Sequence, residues 1–424
     1  MPSHAPTPTP APLSRTACEA LDLWDGGTGF EGWRARLAAG EAGTVYLDAN
    51  SVGPMPVCAP ARVAALMDDG WRVLRRRGWN ERDWLDQPRA LGAAIAHLVG
   101  AGPADVRVAD STSLNQYKLL RHALAAAAPR RVLVVERGVF PSNRYVAEGL
   151  VAAGLADVRL IDDAGDLPAA LAAGDVAAVA LSLVDYRSSE RLDMAALTRQ
   201  AHDAGALVLW DLSHAAGAVA IDLLGCEADM AVGCGYKYLC GGPGAPAFLY
   251  VAPHLQAAAW PAICGWMGHR DTFAFDPAFT PAAGMDRFLV GTPAVLANAA
   301  FAAATELWRE VNPSALDARH RSLTDTLIRL LDEQCDGLGL TLASPREHAR
   351  RGGHVALRFD AAAALAQALC AHGVVVSARK PDALRLGVHP LSLRHVDLWD
   401  AVQVLRDLLL SGRWRDACFA GPAV

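Results

Sequence analysis

Lysine is nearly missing from this chain. Of 39 basic residues only three are lysine, at positions 118, 237 and 380. Arginine has taken almost every solvated basic position. Arginine stays charged at any accessible pH, whereas lysine can lose its proton and attack a carbonyl. Other absences narrow the field. The nine cysteines are scattered and odd in number, with no CxxC pair. That speaks against a disulfide framework and a structural zinc site, and for a reducing, cytoplasmic setting. The histidines show no HExxH or HxxxH spacing, so no metal is expected. No apolar run approaches the roughly 18–20 residues of a membrane span. With a net charge of −6 there is no electrostatic case for nucleic acid or an anionic membrane as partner. No GxGxxG follows the first strand, which weakens any nicotinamide-binding reading. The first residues lack the basic start and apolar centre of a secretory signal.

What is present reads as a two-domain α/β protein. A length of 424 residues exceeds one ordinary core. Short apolar strands are expected at 132–135, 158–161, 176–183, 207–210, 230–232 and 247–251, with helices such as 144–153 and 194–204 between them. Continuous apolar strands alternating with helices imply a mostly parallel sheet covered on both faces. Towards the N-terminus, helices are expected at 21–37, 60–76 and 84–99, and a Ser/Thr cluster opens the helix 114–126. After a helix at 295–308, helices at 316–331, 361–371 and 393–410 and strands at 355–359, 374–377 and 383–386 form a smaller α+β unit. The expected division is an extension without fixed structure at 1–15, a segment at 16–60 packing with the small domain, a large domain at 61–300 and a small C-terminal domain at 301–424.

In parallel α/β sheets ligand groups gather at the carboxyl ends of strands. The strand 207–210 runs into Asp211, and 26 residues later Lys237 follows the end of the next strand, between small residues. Lys118 lies mid-helix and is expected at the surface; Lys380 sits in a turn. A strand-end carboxylate and a strand-end lysine are what pyridoxal 5′-phosphate (PLP) requires. The carboxylate keeps the pyridine nitrogen protonated and the lysine carries the aldehyde as a Schiff base. Hydroxyls and free N–H groups in Asp110-Ser-Thr-Ser113 suit its phosphate.

A set of motifs then carries a family resemblance. Tyr46-Leu-Asp-Ala-Asn-Ser-Val-Gly-Pro-Met-Pro56, Gly78-Trp-Asn80, Ser111-Thr-Ser-Leu-Asn115, Phe140-Pro-Ser142, Trp210-Asp-Leu-Ser-His214, Gly235-Tyr-Lys-Tyr-Leu239, Gly265-Trp266, Gly268-His269 and Gly291-Thr-Pro293 stand in one order. That order resembles the kynureninases, fold-type I PLP enzymes related to the class V aminotransferases. The resemblance spans residues 20 to 410. It implies hydrolysis of L-kynurenine, or a ring-substituted kynurenine, to anthranilate and alanine in tryptophan breakdown, by a homodimer with shared active sites. It implies Lys237, Asp211 and Tyr236 as catalytic residues, with Tyr236 a base for the attacking water and a phosphate ligand. Thr112, Ser113, Phe140, Asn143, Ser182 and His214 would also hold PLP, joined by Trp266 and Thr292 of the partner subunit. Asn50, Ser51, Trp79, Gly291 and Arg385 would bind substrate, Arg385 gripping its carboxylate.

Three positions depart from the family pattern. Ala49 replaces a glycine, Asn143 an aspartate and Met267 a tryptophan. They bear on substrate choice more than on the cofactor. Two alternatives stay open: another class V activity (aminotransferase, cysteine desulfurase or β-lyase), and a non-catalytic regulator on the same fold. A desulfurase needs a reactive cysteine, and the sequence offers no strong candidate.

Overall fold

The computed structural model describes residues 12–26 and 30–421. The extension expected at 1–15 falls mainly on residues outside these. β1 (Val45–Tyr46) belongs with the C-terminal half of the chain. Seven strands follow: β2 (Val106–Val108), β3 (Val132–Glu136), β4 (Asp157–Ile161), β5 (Val176–Ser182), β6 (Leu207–Asp211), β7 (Met230–Gly233) and β8 (Phe248–Val251). They form one sheet in the order β2-β8-β7-β6-β5-β3-β4. Neighbours from β7 through β4 run parallel; β8 is antiparallel to both β7 and β2. The mostly parallel sheet expected from sequence is present, with seven strands. The edge strand Val106–Val108 was not anticipated, since three residues give no periodicity to read.

Alternate strand residues feed two separate cores, as a sheet's two-residue period requires. Val134, Val179, Val208 and Trp210 pack on one face with the helices Met194–Asp203 and Val295–Trp308. Leu133, Val135, Leu209 and Val232 pack on the other with Thr112–Ala126 and Pro141–Ala152. Both faces are dry, which is why these strands read as unbroken apolar runs.

A second sheet, β12-β13-β10-β9, is antiparallel throughout and comprises β9 (Thr341–Leu342), β10 (His354–Arg358), β12 (Ser377–Arg379) and β13 (Ala383–Gly387). Its core takes in Leu323 and Leu327 of helix Pro313–Cys335, Leu365 of Ala362–Ala371 and Leu405 of His395–Ser411. Cys18 and Leu47, from far upstream, are buried in the same core, and β1 pairs in parallel with β11 (Val374–Val375).

The upstream segment then crosses to the large sheet. Gly387 N donates to Leu47 O, and Gly53 N donates to Tyr236 O at 2.9 Å. Both glycines are needed for contact. A Cβ on Gly53 would sit 2.1 Å from Lys237 O, and one on Gly387 would sit 1.9 Å from Asn50 Oδ1.

Two helices differ from expectation. The stretch 60–76 is α-helical only over Ala59–Ala65, then widens into a π-helical turn, Leu66–Leu74, where Gly70 meets the Trp84 ring. The stretch 21–37 divides into Arg15–Gly26 and Phe30–Arg34. No helix among the described residues is long and apolar enough to cross a membrane.

Buried histidines make the fold acid-sensitive. Burial pushes His320 down to about 3 and His389 to about 4, and holds His214 and His354 well below the usual 6.5. Unfolding frees each ring to bind a proton near pH 6.5, so stability is full above that value and drains away as pH falls towards the folded values. At pH 5 each such ring costs roughly 2 kcal/mol. Urea midpoints are therefore expected to drop steeply between pH 7 and 5. Equal midpoints would show that these rings protonate freely in the folded protein.

Candidate active site

The carboxyl ends of β5, β6 and β7 and the N-terminus of helix Thr112–Ala126 converge on a cavity of about 300 Å³. Ser182 ends β5 and Asp211 ends β6. β7 ends at Gly233, and the turn after it delivers Tyr236 and Lys237.

Lys237 Nζ lies 2.7 Å from His214 Nε2 and 5.8 Å from the centre of the Phe140 ring. Burial lowers its pKa; Cys234 and Asp211 oppose the shift, while Arg385 and Arg379 add to it. His214 is likewise held neutral by burial and by Lys237. A lysine that sheds its proton more readily is a better nucleophile towards an aldehyde.

Asp211 faces the same space with both oxygens engaged. Asn143 Nδ2 donates to Oδ2 at 2.8 Å and the Ser213 amide donates to Oδ1 at 2.9 Å. Asn143 Nδ2 also lies 3.4 Å from Ser182 Oγ. These donors fix the carboxylate's orientation and leave acceptor capacity for a ring N–H.

At the opposite end, Ser111 caps the helix by accepting from Leu114 N at 3.3 Å, and Thr112 and Ser113 line the cavity. An uncompensated helix N-terminus with two hydroxyls suits a phosphate. Tyr236 borders the cavity too. Burial raises its pKa well above the ordinary phenol value, with Cys234 and Asp211 adding to the effect. A protonated hydroxyl there can serve as a hydrogen-bond donor to an anion.

The donor set fits pyridoxal phosphate: an amine of lowered pKa, a carboxylate for a ring cation, an aromatic face at Phe140 and an anion-binding helix end. Thr112, Ser113, Phe140, Asn143, Ser182, Asp211, His214, Tyr236 and Lys237 all border this one cavity.

Arg385 lies beside it, 1% exposed. It donates to Tyr186 O at 2.8 Å, to Ser377 Oγ at 2.9 and 3.2 Å, and to Ser51 Oγ at 3.2 Å. The Asn50 amide oxygen, turned by its neighbours, accepts from the same fork at 3.2 and 3.3 Å. All these hydrogen-bond partners are neutral oxygens. Burial pushes the guanidinium down to about 10; Arg379 adds to the shift and the Asp48 carboxylate opposes it. A buried cation hydrogen-bonded only to neutral acceptors gains strongly from an arriving carboxylate.

Beyond Asn50, Ser51 and Arg385, which lie beside the cavity, four expected residues stand away from it. Trp79 packs edge-on against Trp84 at 5.1 Å, and Trp266 against Phe273 at 6.1 Å. Gly291 and Thr292 are exposed. Lys118 corrects the sequence reading. It is 2% exposed rather than at the surface, and its ammonium donates to Asp110 Oδ2 and Phe288 O, both at 2.8 Å. Neighbouring Tyr117 gave no sign of this, because the partners are distant in sequence or on the preceding loop.

Three contributors had no legible signal. Tyr186 packs edge-on against Phe140 at 5.3 Å and offers its carbonyl to Arg385; Ser377 holds the same guanidinium; Asp110 neutralises Lys118. No cysteine lines the cavity among the described residues.

Comparison with known proteins agrees with this geometry. Residues 316–405 match the family model "Kynureninase C-terminal domain". The chain is 42% identical over 386 residues to a kynureninase of Burkholderia pseudomallei, covering 89% of this chain and 92% of that one. It is 39% identical over 417 residues to a kynureninase of Pseudomonas fluorescens, covering 96% and 98%. Among solved structures, the cysteine desulfurase CsdA of Escherichia coli superposes with a TM-score of 0.75 at 19% identity, over 90% of this chain and 98% of that one. The cystine C–S lyase C-DES does so with a TM-score of 0.71 at 19% identity, over 88% and 98%. Those two share the fold. At 39–42% identity to curated kynureninases over 89–96% of its length, the chain belongs to the kynureninase family.

Proposed function

We propose that this protein hydrolyses the Cβ–Cγ bond of L-kynurenine, giving anthranilate and L-alanine in tryptophan catabolism, with pyridoxal phosphate bound through Lys237. The observation that carries the reading is Arg385, a buried fork with only neutral hydrogen-bond partners, beside the cavity that holds Lys237 and Asp211. An α-amino acid needs both: an amine-reactive cofactor and a cation for its carboxylate.

Pyridoxal phosphate, when bound, supplies an electron sink for the charge left when bonds at the substrate's Cα and Cβ break. The chain's own groups do the rest. Thr112, Ser113 and the Tyr236 hydroxyl donate to the phosphate. Asp211, oriented by Asn143 and Ser213, holds a proton at the ring nitrogen. Lys237 Nζ moves the Cα proton, and the Lys237–His214 pair stands as the acceptor for a proton of the attacking water.

Trp266 and Thr292, exposed and away from this chain's cavity, fit a two-fold dimer in which each subunit completes the other's phosphate site; Trp79 and Gly291 would border the shared aryl pocket. Exposed aromatics on the same loop as Trp266, including Trp260, Phe273 and Phe275, support a covered surface there.

The test is direct. Purified protein with pyridoxal phosphate should turn L-kynurenine into fluorescent anthranilate. A 3-hydroxykynurenine arm reads the effect of Asn143 and Met267. Sulfide from cysteine, or keto-acid products without anthranilate, would replace the reading. In the same assay Arg385→Gln is expected to raise KM by roughly 30- to 1,000-fold, since truncating one side of a buried charged contact costs about 2–4 kcal/mol. Arg385→Lys should recover only part of it, having charge without the planar fork. An unchanged KM would remove Arg385 from carboxylate binding.

A further inference from the structure

Four histidines from four separate elements stand in file between the cavity and the outer surface. His214 follows β6, His354 opens β10, His320 lies on helix Pro313–Cys335, and His348 opens the turn His348–Arg350. At the inner end, His214 Nε2 is 2.7 Å from Lys237 Nζ. The His214 and His354 ring centres are 6.0 Å apart. The Gly353 carbonyl, bonded to the His354 amide, faces the His320 ring. His320 and His348 ring centres are 6.2 Å apart. At the outer end, His348 Nε2 is 3.1 Å from Asp317 Oδ2, whose side chain is 19% exposed.

The nitrogens of this file are unlike those of other buried histidines. His320 and His354 are wholly buried; no ring nitrogen of either meets strict hydrogen-bond geometry, although the Gly353 carbonyl lies towards His320 and the Arg187 carbonyl towards His354. No other histidine among the described residues has both nitrogens in that state. With His214 Nδ1 and His348 Nδ1, six such nitrogens belong to these four rings. Unpaired buried N–H groups are costly, and the spacings near 6 Å of His214–His354 and His320–His348 are of the order that one bridging water spans.

We propose that His214, His354, His320 and His348 form a proton path from the active-site lysine to the surface at Asp317. An imidazole takes a proton on one nitrogen and releases another from its second, so the charge moves while the ring stays in place. Charges stand at both ends of the path: Lys237 and Arg385 act on His214 and His354, Arg379 on His214, Arg351 and Asp317 on His320, and Arg191 lies 4.0 Å from Asp317.

The reaction proposed above supplies the cargo, and the path rests on that reading. Water adds its oxygen to the ketone carbon, the Cβ–Cγ bond breaks, and one water hydrogen ends in alanine's methyl group. The aryl carboxylic acid that results ionises at neutral pH, so each turnover releases one proton.

Single-turnover stopped flow on the holoenzyme, reading anthranilate fluorescence and a pH dye together, tests the path. Wild-type protein should release proton and product together. In His320→Phe, and in His348→Gln at the half-buried end where folding is least at risk, the proton should lag by about tenfold, and small diffusible imidazole should abolish the lag. Simultaneous release in both variants would overturn the proposal. If wild-type protein makes no anthranilate, the functional reading fails instead. The path is then judged by ¹⁵N-histidine NMR: the two variants should slow solvent exchange of the His354 ring N–H, and unchanged exchange would overturn it.

Discussion

Lys237→Ala should abolish turnover, by about 10⁴-fold or more, and with it the covalent attachment of the cofactor. Two jobs are lost at once: the amine that bonds the aldehyde and the base that moves the Cα proton. The other lysines are poor substitutes. Lys118 is buried against Asp110 and Phe288 O, and Lys380 sits in an exposed turn. Borohydride reduction followed by peptide mapping is the check, because it reports the bond independently of catalysis. The label should fall on the peptide holding Lys237 in wild-type protein and on no peptide in the variant. A label elsewhere would dismantle the site described here. The fold should survive, since the side chain fills a cavity wall and its only hydrogen-bonding partner, His214, is already held neutral.

The second large effect is at Asp211. Asp211→Ala is expected to lower kcat by about 10²–10⁴-fold with a much smaller change in KM. The carboxylate acts on the charge that develops during bond breaking rather than on substrate affinity. Asn143 and the Ser213 amide already hold it in place, so Asp211→Asn tests charge apart from shape. Equal loss in both variants assigns the effect to charge. A kcat close to wild type in Asp211→Ala would remove the residue from the mechanism.

Much of the site was readable because it is local in sequence. Asp211 follows an apolar strand, Lys237 follows the next, and Ser111 stands where a helix must be capped; each declares itself within a few residues. Strands of the parallel sheet were equally plain, their burial on both faces leaving uninterrupted apolar runs. Where reading failed, the cause was distance. Lys118 looked solvated because its second acceptor, Phe288 O, is 170 positions away. Ser377 and Tyr186 meet Arg385 only after two sheets come together through the Gly53 and Gly387 contacts. The π-helical turn at Leu66–Leu74, where Gly70 lies against Trp84, follows no propensity of its residues. Asn143 reads in the sequence as a lost negative charge; its bond to Asp211, 68 positions away, forms only in the folded chain.

The placing of the three lysines has a practical corollary. With one paired in the core and one lining the cavity, Lys380 is the side-chain amine that an acylating reagent meets first. Among the lysines, ester-activated dyes or beads should therefore couple at that turn first, tethering the enzyme in few orientations.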